Sequence, residues 1–216
     1  MKSLFGICLT LLALCSQPSF ALNPASETAL QQLQQRWAEI NYQLPTAQRE
    51  AAFAKLAGEA EQALAREPEA AELLIWDGII RSTWAGAKGG LGALGLAKQA
   101  KARFEQALAL DPQALNGSAY TSLASLYYQV PGWPIGFGDD DKAAELFRQA
   151  LAINPQGIDP NYFYAGFLID QERYAEARSA LEKALAAPDR PGRAIADTGR
   201  RSEARKLLDD VGKRLE

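Results

Sequence analysis

The most regular feature of the sequence is an apolar period of helical spacing that recurs and ends each time at a proline. The clearest copies are Phe104–Pro112 and Phe147–Pro155, and weaker copies are Ala60–Pro68 and Leu181–Pro188. Apolar residues at intervals of three and four lie on one face of a helix. The closing proline lacks an N–H group and restrains the residue before it, so each helix ends there. This pattern predicts helical hairpins repeated in tandem.

A second helical stretch precedes each copy, as the pairing of helices requires. The best example is Tyr120–Tyr128, in which tyrosine, leucine and alanine form one apolar stripe. At the ends of the chain, helices over 26–43 and 46–66 are typical of a degenerate terminal unit, and a helix from Ser202 to Arg214 predicts a C-terminal cap. Residues Pro188–Thr198 are rich in proline, glycine and charge, which predicts an exposed linker before that cap.

These stripes resemble the pattern of the tetratricopeptide repeat (TPR). The residues that carry the resemblance are Tyr120, Leu123, Ala124, Tyr127, Ala143, Phe147, Ala150 and Pro155, with Gly78, Ala100, Phe104, Ala107 and Pro112 in the preceding unit. The resemblance implies an all-α fold, an α-solenoid of TPR-like helical hairpins. The first helix of each pair then lines a concave groove.

Two of the units are longer than a standard repeat, which has about 34 residues. The step from Ala150 to Ala184 is 34 residues, but Ala63 to Ala107 spans 44 and Ala107 to Ala150 spans 43. We expect the extra residues to form two enlarged loops within repeats, at 85–95 and 130–141. The first, rich in glycine, is interpreted as a flexible connector or as a mobile lid. The second is interpreted as a rim over the groove, or as a loop folded onto its own hairpin.

The N-terminus has the pattern of a cleavable secretory signal peptide at residues 1–21. Lys2 is followed by a short apolar run, and Ser19-Phe20-Ala21 forms a small-x-small cleavage site. This predicts a periplasmic protein with one repeat domain at 22–216 and, since both cysteines precede residue 22, no disulfides. A lipoprotein anchor at Cys15 is not favoured, because the preceding Leu14 is not small.

Composition argues against an enzyme and against nucleic acid as a partner. The chain has no histidine and a net charge of −3, so the commonest catalytic base is absent and the overall field is not basic. Glu61, Glu105 and Glu182 recur at one position of the repeat, which favours a solvated helix face over a catalytic role. Asp139–Asp141 lack the ligand spacing of a calcium hand and predict a helix cap instead of a metal site. No cofactor is expected.

The candidate binding residues lie on the predicted first helices and on the second enlarged loop. They are Ser125, Tyr128, Trp133, Phe137 and Tyr162. A groove of tyrosine and serine suits an apolar or uncharged polar ligand, or an extended peptide. It does not suit acidic peptide tails, because these helices show no matching Lys or Arg.

A narrower resemblance rests on the run Val130–Asp140, which is similar to exported TPR proteins associated with TRAP-type solute uptake (TatT-like). That resemblance implies pairing with a periplasmic solute-binding protein and transfer of a small apolar ligand. The alternative is a protein–protein scaffold without a ligand cavity, and self-association into a homo-oligomer stays open.

Overall fold

The structure, a computed structural model, describes residues 22–216, so the predicted signal peptide lies outside the described residues. The described residues form nine α-helices. They are α1 (Pro24–Tyr42), α2 (Thr46–Arg66), α3 (Ala71–Lys88), α4 (Gly90–Leu110), α5 (Ala114–Gln129), α6 (Asp140–Ile153), α7 (Ile158–Asp170), α8 (Tyr174–Ala186) and α9 (Ala194–Leu215). Over residues 22–216, no helix is both long enough and apolar enough to cross a membrane.

The helices pair into four antiparallel hairpins, α1/α2, α3/α4, α5/α6 and α7/α8, as the repeat pattern predicts. Pro68, Pro112 and Pro155 lie in the connections between hairpins, and Pro188 lies between α8 and α9, so that the missing N–H of each proline interrupts no helix. The repeated apolar face is the core of the stack. Phe104 and Phe147 are fully buried, together with the alanines on either side of them. The predicted α-solenoid of helical hairpins is therefore confirmed.

Helix α9 closes the array into a ring. The odd-numbered helices form the inner layer, in which α1 contacts α3, α3 contacts α5, α5 contacts α7 and α7 contacts α9. Helix α9 packs on α8 as the predicted cap, and it also contacts α1 at the other end of the chain. Tyr42 of α1 lies so close to Gly199 of α9 that a Cβ at Gly199 would overlap the tyrosine ring. The inner layer is thus closed on itself.

The first enlargement is not a loop, contrary to the expectation for residues 85–95. Helix α3 continues to Lys88 and α4 starts at Gly90, with only Gly89 between them at φ +64°. The extra residues lengthen the two helices to 18 and 21 residues, compared with 13 each in α7 and α8. The glycines disfavour a helix by up to about 1 kcal/mol each. Packing of α4 against its neighbours offsets this, since Leu96 and Ala97 are buried.

The second enlargement is a loop, but it folds onto its own hairpin instead of covering the groove. Phe137 makes an edge contact with Tyr127 at a centroid distance of 5.7 Å, and Lys101 Nζ lies 5.8 Å from the Phe137 ring. The Asp139 side chain accepts a hydrogen bond from the Lys142 backbone N–H at 2.9 Å, which confirms the predicted helix cap. The rim interpretation of residues 130–141 is therefore wrong.

The predicted exposed linker at Pro188–Thr198 is also wrong in its second half. Helix α9 begins at Ala194, eight residues before the predicted start at Ser202, and Ala196 and Asp197 are buried. Arg190 in this segment is held by ion pairs with Asp197 of α9 and with the distant Asp159 of α7, and local composition does not reveal the second of these.

Candidate functional site

The ring of inner helices encloses a cavity of about 860 Å³. Helices α1, α3, α5 and α7 each contribute side chains, as do the first turns of α2 and the residues from Pro188 to Arg200. We call the segment Pro188–Arg200 the closing segment, because it completes the ring between α8 and α1. A cavity of this size falls in the range of small-molecule sites, and its several walls come from different repeats.

One wall of the cavity is aromatic. Trp37 of α1 makes edge contacts with Trp76 of α3 and with Tyr42, each at a centroid distance of 5.9 Å. The Trp37 Nε1–H donates to Thr83 Oγ1 at 3.0 Å, so the indole has a fixed orientation. Phe53 and the two indoles are almost fully buried. This wall offers rigid apolar surface, and the indole N–H of Trp37 is already satisfied.

A second wall of the cavity is polar and belongs to α5, which lies beside α3. Ser118, Thr121, Ser122 and Ser125 lie along it, and Ser125 Oγ donates to the Thr121 carbonyl at 2.9 Å. Hydroxyl groups can both donate and accept, so this wall can pair with the N–H and C=O groups of a bound ligand.

The start of α5 has an unusual backbone that shapes the polar wall. Leu115, Asn116 and Gly117 adopt left-handed conformations with φ of 48°, 55° and 72°. Such a run is unfavourable for leucine, and asparagine tolerates it better. At Gly117 an added Cβ would also come within 2.9 Å of Ile153 Cδ1. The run brings Leu115 and Asn116 to the cavity.

The closing segment is held by a cluster of ion pairs around Asp159 at the start of α7. Arg190 donates to Asp159 at 2.6 Å, and Arg200 Nε donates to the same carboxylate at 2.9 Å. Arg190 is also paired with the buried Asp197, and Arg200 Nη1 donates to Glu203 at 2.7 Å. These contacts fix the segment against the first turn of α7.

The charges in this cluster alter one another's titration. Burial alone would raise the pKa of Asp159, but Arg200 and Arg190 outweigh it and lower the pKa to about 2. Burial alone would lower the pKa of Arg200, but Asp159 and other nearby acidic groups outweigh burial, so the pKa of Arg200 is raised. Burial raises the pKa of the Tyr42 hydroxyl, which donates to Glu203 at 3.2 Å. All of these groups keep their ordinary charges at neutral pH, so the cluster is a set of satisfied ion pairs.

Arg193 is the exception in the closing segment. Its guanidinium lies 4.8 Å from the Trp76 ring centroid and lines the cavity. Its Nε is buried, and within residues 22–216 it has no hydrogen-bond partner. A buried donor without a partner costs about 1–3 kcal/mol. Burial and the neighbouring Arg190 lower the pKa of Arg193.

The structure brings only one of the five predicted site residues to the cavity. Ser125 lines it, as expected. Tyr128 does not line the cavity and packs against Phe167, with a distance of 5.8 Å between the ring centroids. Tyr162 does not line the cavity either, and the Arg200 guanidinium lies 4.4 Å from the centroid of its ring. Phe137 packs on Tyr127, and Trp133 is 90% exposed outside the cavity. The predicted position of Trp133 and Phe137 beside the groove is therefore wrong.

Sequence reasoning missed the aromatic wall and the arginines. Arg193 and Arg200 are seven residues apart, which places them on one face of a helix, and this spacing is the signal that could have revealed them. The expectation that the groove lacks basic side chains considered only the first helices of the pairs. Three of the cations that line the cavity come from the closing segment, and a fourth, Arg49, comes from α2.

Comparison with known proteins supports the repeat assignment. Residues 135–191 match the family model described as a tetratricopeptide repeat. A thermophilic TPR protein from Thermus thermophilus has a similar structure, with a TM-score of 0.61 and 20% identity over 88% of this chain and 82% of that one. The structure of MamA is more distant, with a TM-score of 0.45 and 19% identity over 77% of this chain and 91% of that one. No curated protein matches the sequence. Residues 135–191 thus form a tetratricopeptide repeat, and residues 22–216 have the fold of a tetratricopeptide repeat protein.

Proposed function

We propose that this protein binds a partner protein by taking an extended segment of it into the cavity. The observation that carries the proposal is the cavity itself, which is lined by aromatic side chains of α1 and α3 and by a row of hydroxyl groups on α5. An extended peptide presents alternating side chains and unpaired backbone groups, which suit apolar and hydroxyl surfaces respectively. The general role of TPR folds in protein binding supports the same conclusion.

A matched pair of serine substitutions tests this proposal. Ser122 of α5 lines the cavity, whereas Ser179 of α8 is exposed on the outer layer. A tryptophan at position 122 fills cavity space, so Ser122→Trp should weaken the binding of a partner segment by at least about tenfold, and Ser179→Trp should leave it unchanged. Binding is followed by the fluorescence anisotropy of a dansyl-labelled pool of random hexapeptides that lack Asp and Glu and have amidated C-termini.

The scaffold alternative gives the opposite result in this experiment. A scaffold that uses only its outer faces has no need of the cavity, so the wild-type protein would show no saturable binding of the pool, or Ser122→Trp would bind it as well as Ser179→Trp. Either result contradicts the proposal.

A small apolar ligand is a second candidate occupant, and the aromatic wall favours it. Trp37, Phe53 and Trp76 are buried side chains with edges at the cavity, which suits an uncharged aromatic or aliphatic molecule. N-phenyl-1-naphthylamine, a neutral dye, should bind saturably and change the tryptophan fluorescence. Absence of saturation in the wild-type protein, or equal binding by Ser122→Trp, would exclude this candidate.

We also propose that residues 1–21 direct export and that the protein acts in the periplasm. The support is the sequence pattern of a basic start, a short apolar run and a small-x-small cleavage site. The similarity of Val130–Asp140 to TatT-like proteins supports a periplasmic solute-binding protein of the TRAP type as the partner. The mass of the protein recovered from the periplasm should correspond to a chain that starts at Leu22, and an intact chain retained in the cytoplasm would contradict export.

A further inference from the structure

The loop between α5 and α6 presents apolar side chains to solvent at its tip. The tip is the run Pro131–Ile135, in which Trp133 is 90% exposed, Ile135 is 68% exposed and both prolines are exposed as well. We call this run the apolar tip. One exposed apolar side chain is ordinary, but here two large ones and two proline rings lie together, and a cluster of this kind marks an interaction surface.

The backbone of the loop is held in place although its tip is exposed. The Gly138 N–H donates to the Pro131 carbonyl at 3.0 Å, and the Ile135 N–H donates to the Gly132 carbonyl at 3.1 Å. A Cβ at Gly138 would overlap the carbonyl oxygen of Val130, so the two ends of the loop are in close contact. Side chains on a fixed backbone lose little conformational entropy when they bind, which favours the apolar tip as a docking element.

The surface next to the apolar tip is acidic. Asp139, Asp140 and Asp141 follow it closely in the chain and are exposed or partly exposed. Lys142 comes next, and its ammonium group is paired with Glu145 at 2.8 Å. Like charges repel, so these aspartates disfavour an anionic membrane surface and also the apolar tip of a second molecule. They favour an apolar groove with a basic rim.

A groove of about 600 Å³ lies where α9 packs against α1, and no residue of the apolar tip lines it. Tyr42, Ile195 and Gly199 form its apolar part, and Ser202 lies exposed along it. We call it the α1/α9 groove. Its volume falls in the range of sites that bury a small molecule, so it accommodates an indole together with neighbouring side chains.

The charges of the α1/α9 groove complement those beside the apolar tip. Arg49 and Lys206 line the groove, and over residues 22–216 neither has an ion-pair partner. Glu203 also lines it, but its carboxylate is paired with Arg200 at 2.7 Å. The rim is therefore basic overall. Tyr42 and Arg49 line the cavity as well, so the groove lies beside it.

We propose that the α1/α9 groove of one molecule takes up the apolar tip of a second molecule. The Trp133 indole fills the apolar part of the groove, and the aspartates beside the tip face Arg49 and Lys206. The contact joins two different patches of the same chain, so it is heterologous, and its repetition builds chains or closed rings of molecules. The inference does not depend on peptide binding, because the cavity itself stays free.

The contact should be weak. A tip of five residues covers less than the roughly 800 Å² that each partner buries in a standard interface, so we expect a dissociation constant in the micromolar range. Sedimentation equilibrium of the purified protein at micromolar concentrations measures it. The average mass should rise with concentration and pass that of a dimer, because each added molecule presents a further groove or tip.

Two variants remove one side of the contact each. Trp133→Ala removes the side chain that enters the groove, and Ser202→Trp fills the groove. Each should weaken self-association by at least about tenfold. The matched controls are Leu110→Ala, which removes an apolar side chain that is 48% exposed elsewhere, and Ser179→Trp, which adds an indole to the exposed face of α8. Both should associate as the wild type does, and circular dichroism confirms that all four variants are folded.

A mixture of the two variants tests the heterologous geometry directly. Trp133→Ala keeps an intact groove and Ser202→Trp keeps an intact tip, so the mixture should form a heterodimer that does not grow further. Neither variant alone should do so. Trp133→Ala should still bind the dansyl-labelled hexapeptide pool as the wild type does, which separates this test from that of the proposed function.

Several results would overturn the inference. They are a wild-type protein that stays monomeric, self-association that survives in Trp133→Ala or in Ser202→Trp, and a mixture without heterodimers. A membrane is the other candidate for the apolar tip, and vesicles of phosphatidylcholine test it. A blue shift of the tryptophan fluorescence with these vesicles that Trp133→Ala abolishes, in a protein that does not self-associate, would assign the tip to a lipid surface instead.

Discussion

Two aspartates in this molecule each form ion pairs with two arginines, one within a single hairpin and the other at the cavity. Asp77 of α3 is fully buried and accepts from Arg81 and Arg103, which lie four and 26 residues away in the same hairpin. The Asp159 side chain is 28% exposed at the cavity, and its arginines, Arg190 and Arg200, lie 31 and 41 residues away on the closing segment. We refer to these as the Asp77 cluster and the Asp159 cluster.

The difference teaches that the position of an ion pair in the fold decides its role. The Asp77 cluster joins two helices that are already adjacent in the chain, so it stabilises one hairpin and does not line the cavity. The Asp159 cluster joins elements that only the complete ring brings together, so it shapes the cavity. Loss of the first should therefore change stability without changing binding, and loss of the second should change both.

The largest effect is expected for Asp77→Ala. The substitution leaves Arg81, whose side chain is only 10% exposed, with the more distant Glu61 at 3.7 Å as its remaining carboxylate. Removal of one partner from a buried ion pair costs about 3–5 kcal/mol. Urea denaturation should show this loss in the free energy of unfolding. Binding of the dansyl-labelled hexapeptide pool by the folded fraction should be unchanged. A loss below about 1 kcal/mol would contradict the account of the Asp77 cluster.

A smaller effect, dependent on pH, is expected at Asp159. Its pKa is about 2 in the folded protein and 3.8 in its ordinary environment, so its ion pairs stabilise the fold above about pH 4 and lose their contribution as the pH falls toward 2. The contribution corresponds to about 2 kcal/mol. Asp159→Asn should be less stable than the wild type at pH 7, and the difference should narrow on acidification. Asp159→Asn should also bind the dansyl-labelled hexapeptide pool more weakly at pH 7, unlike variants of the Asp77 cluster.

Next in size is a packing effect beside the Asp77 cluster. A Cβ at Gly78 would lie 2.5 Å from the Phe104 ring, so Gly78→Ala should destabilise the α3/α4 hairpin by about 1–3 kcal/mol. Gly58→Ala in α2 is the matched control, because no atom lies within 4 Å of its added Cβ. That control should be neutral or more stable, since alanine favours a helix. Equal effects of the two substitutions in thermal unfolding would show that the contact is not close.

The smallest effect is expected at the junction of α9 with α1. Tyr42→Phe removes the hydroxyl that donates to Glu203 at 3.2 Å and keeps the ring. The loss should be about 0.5–1.5 kcal/mol in urea denaturation. The affinity for the hexapeptide pool should also weaken, because Tyr42 lines the cavity. An unchanged affinity would confine the hydroxyl to a role in stability.

The hairpins were predictable from the sequence because their determinants are local. The spacing of Ala100, Phe104 and Ala107 defines one helical face, and the following Pro112 ends the helix, without reference to the rest of the fold. The ring could not be predicted in this way. The contact of Tyr42 with Glu203 joins residues 161 positions apart, and it depends on the summed rotation of all the hairpins between them.

Most of the predicted site residues do not line the cavity, for a related physical reason. Trp133 was expected beside the groove because a large aromatic side chain favours burial, yet the loop needs only Phe137 to pack on Tyr127, and Trp133 is left in solvent. Single exposed apolar residues are ordinary in folded proteins, so this preference does not locate a site. Arg193 was overlooked because its neighbour Trp76 comes from a distant part of the chain.

The contact between the first and last helices has a consequence for the way the molecule unfolds. In a linear repeat array each unit touches only its neighbours, so terminal units can melt while the middle remains folded. Here α1 and α9 hold each other, and neither can fray without exposing the other's apolar face. The chain should therefore lose its structure in one cooperative step, with amide protons near both ends protected almost as well as those in the centre.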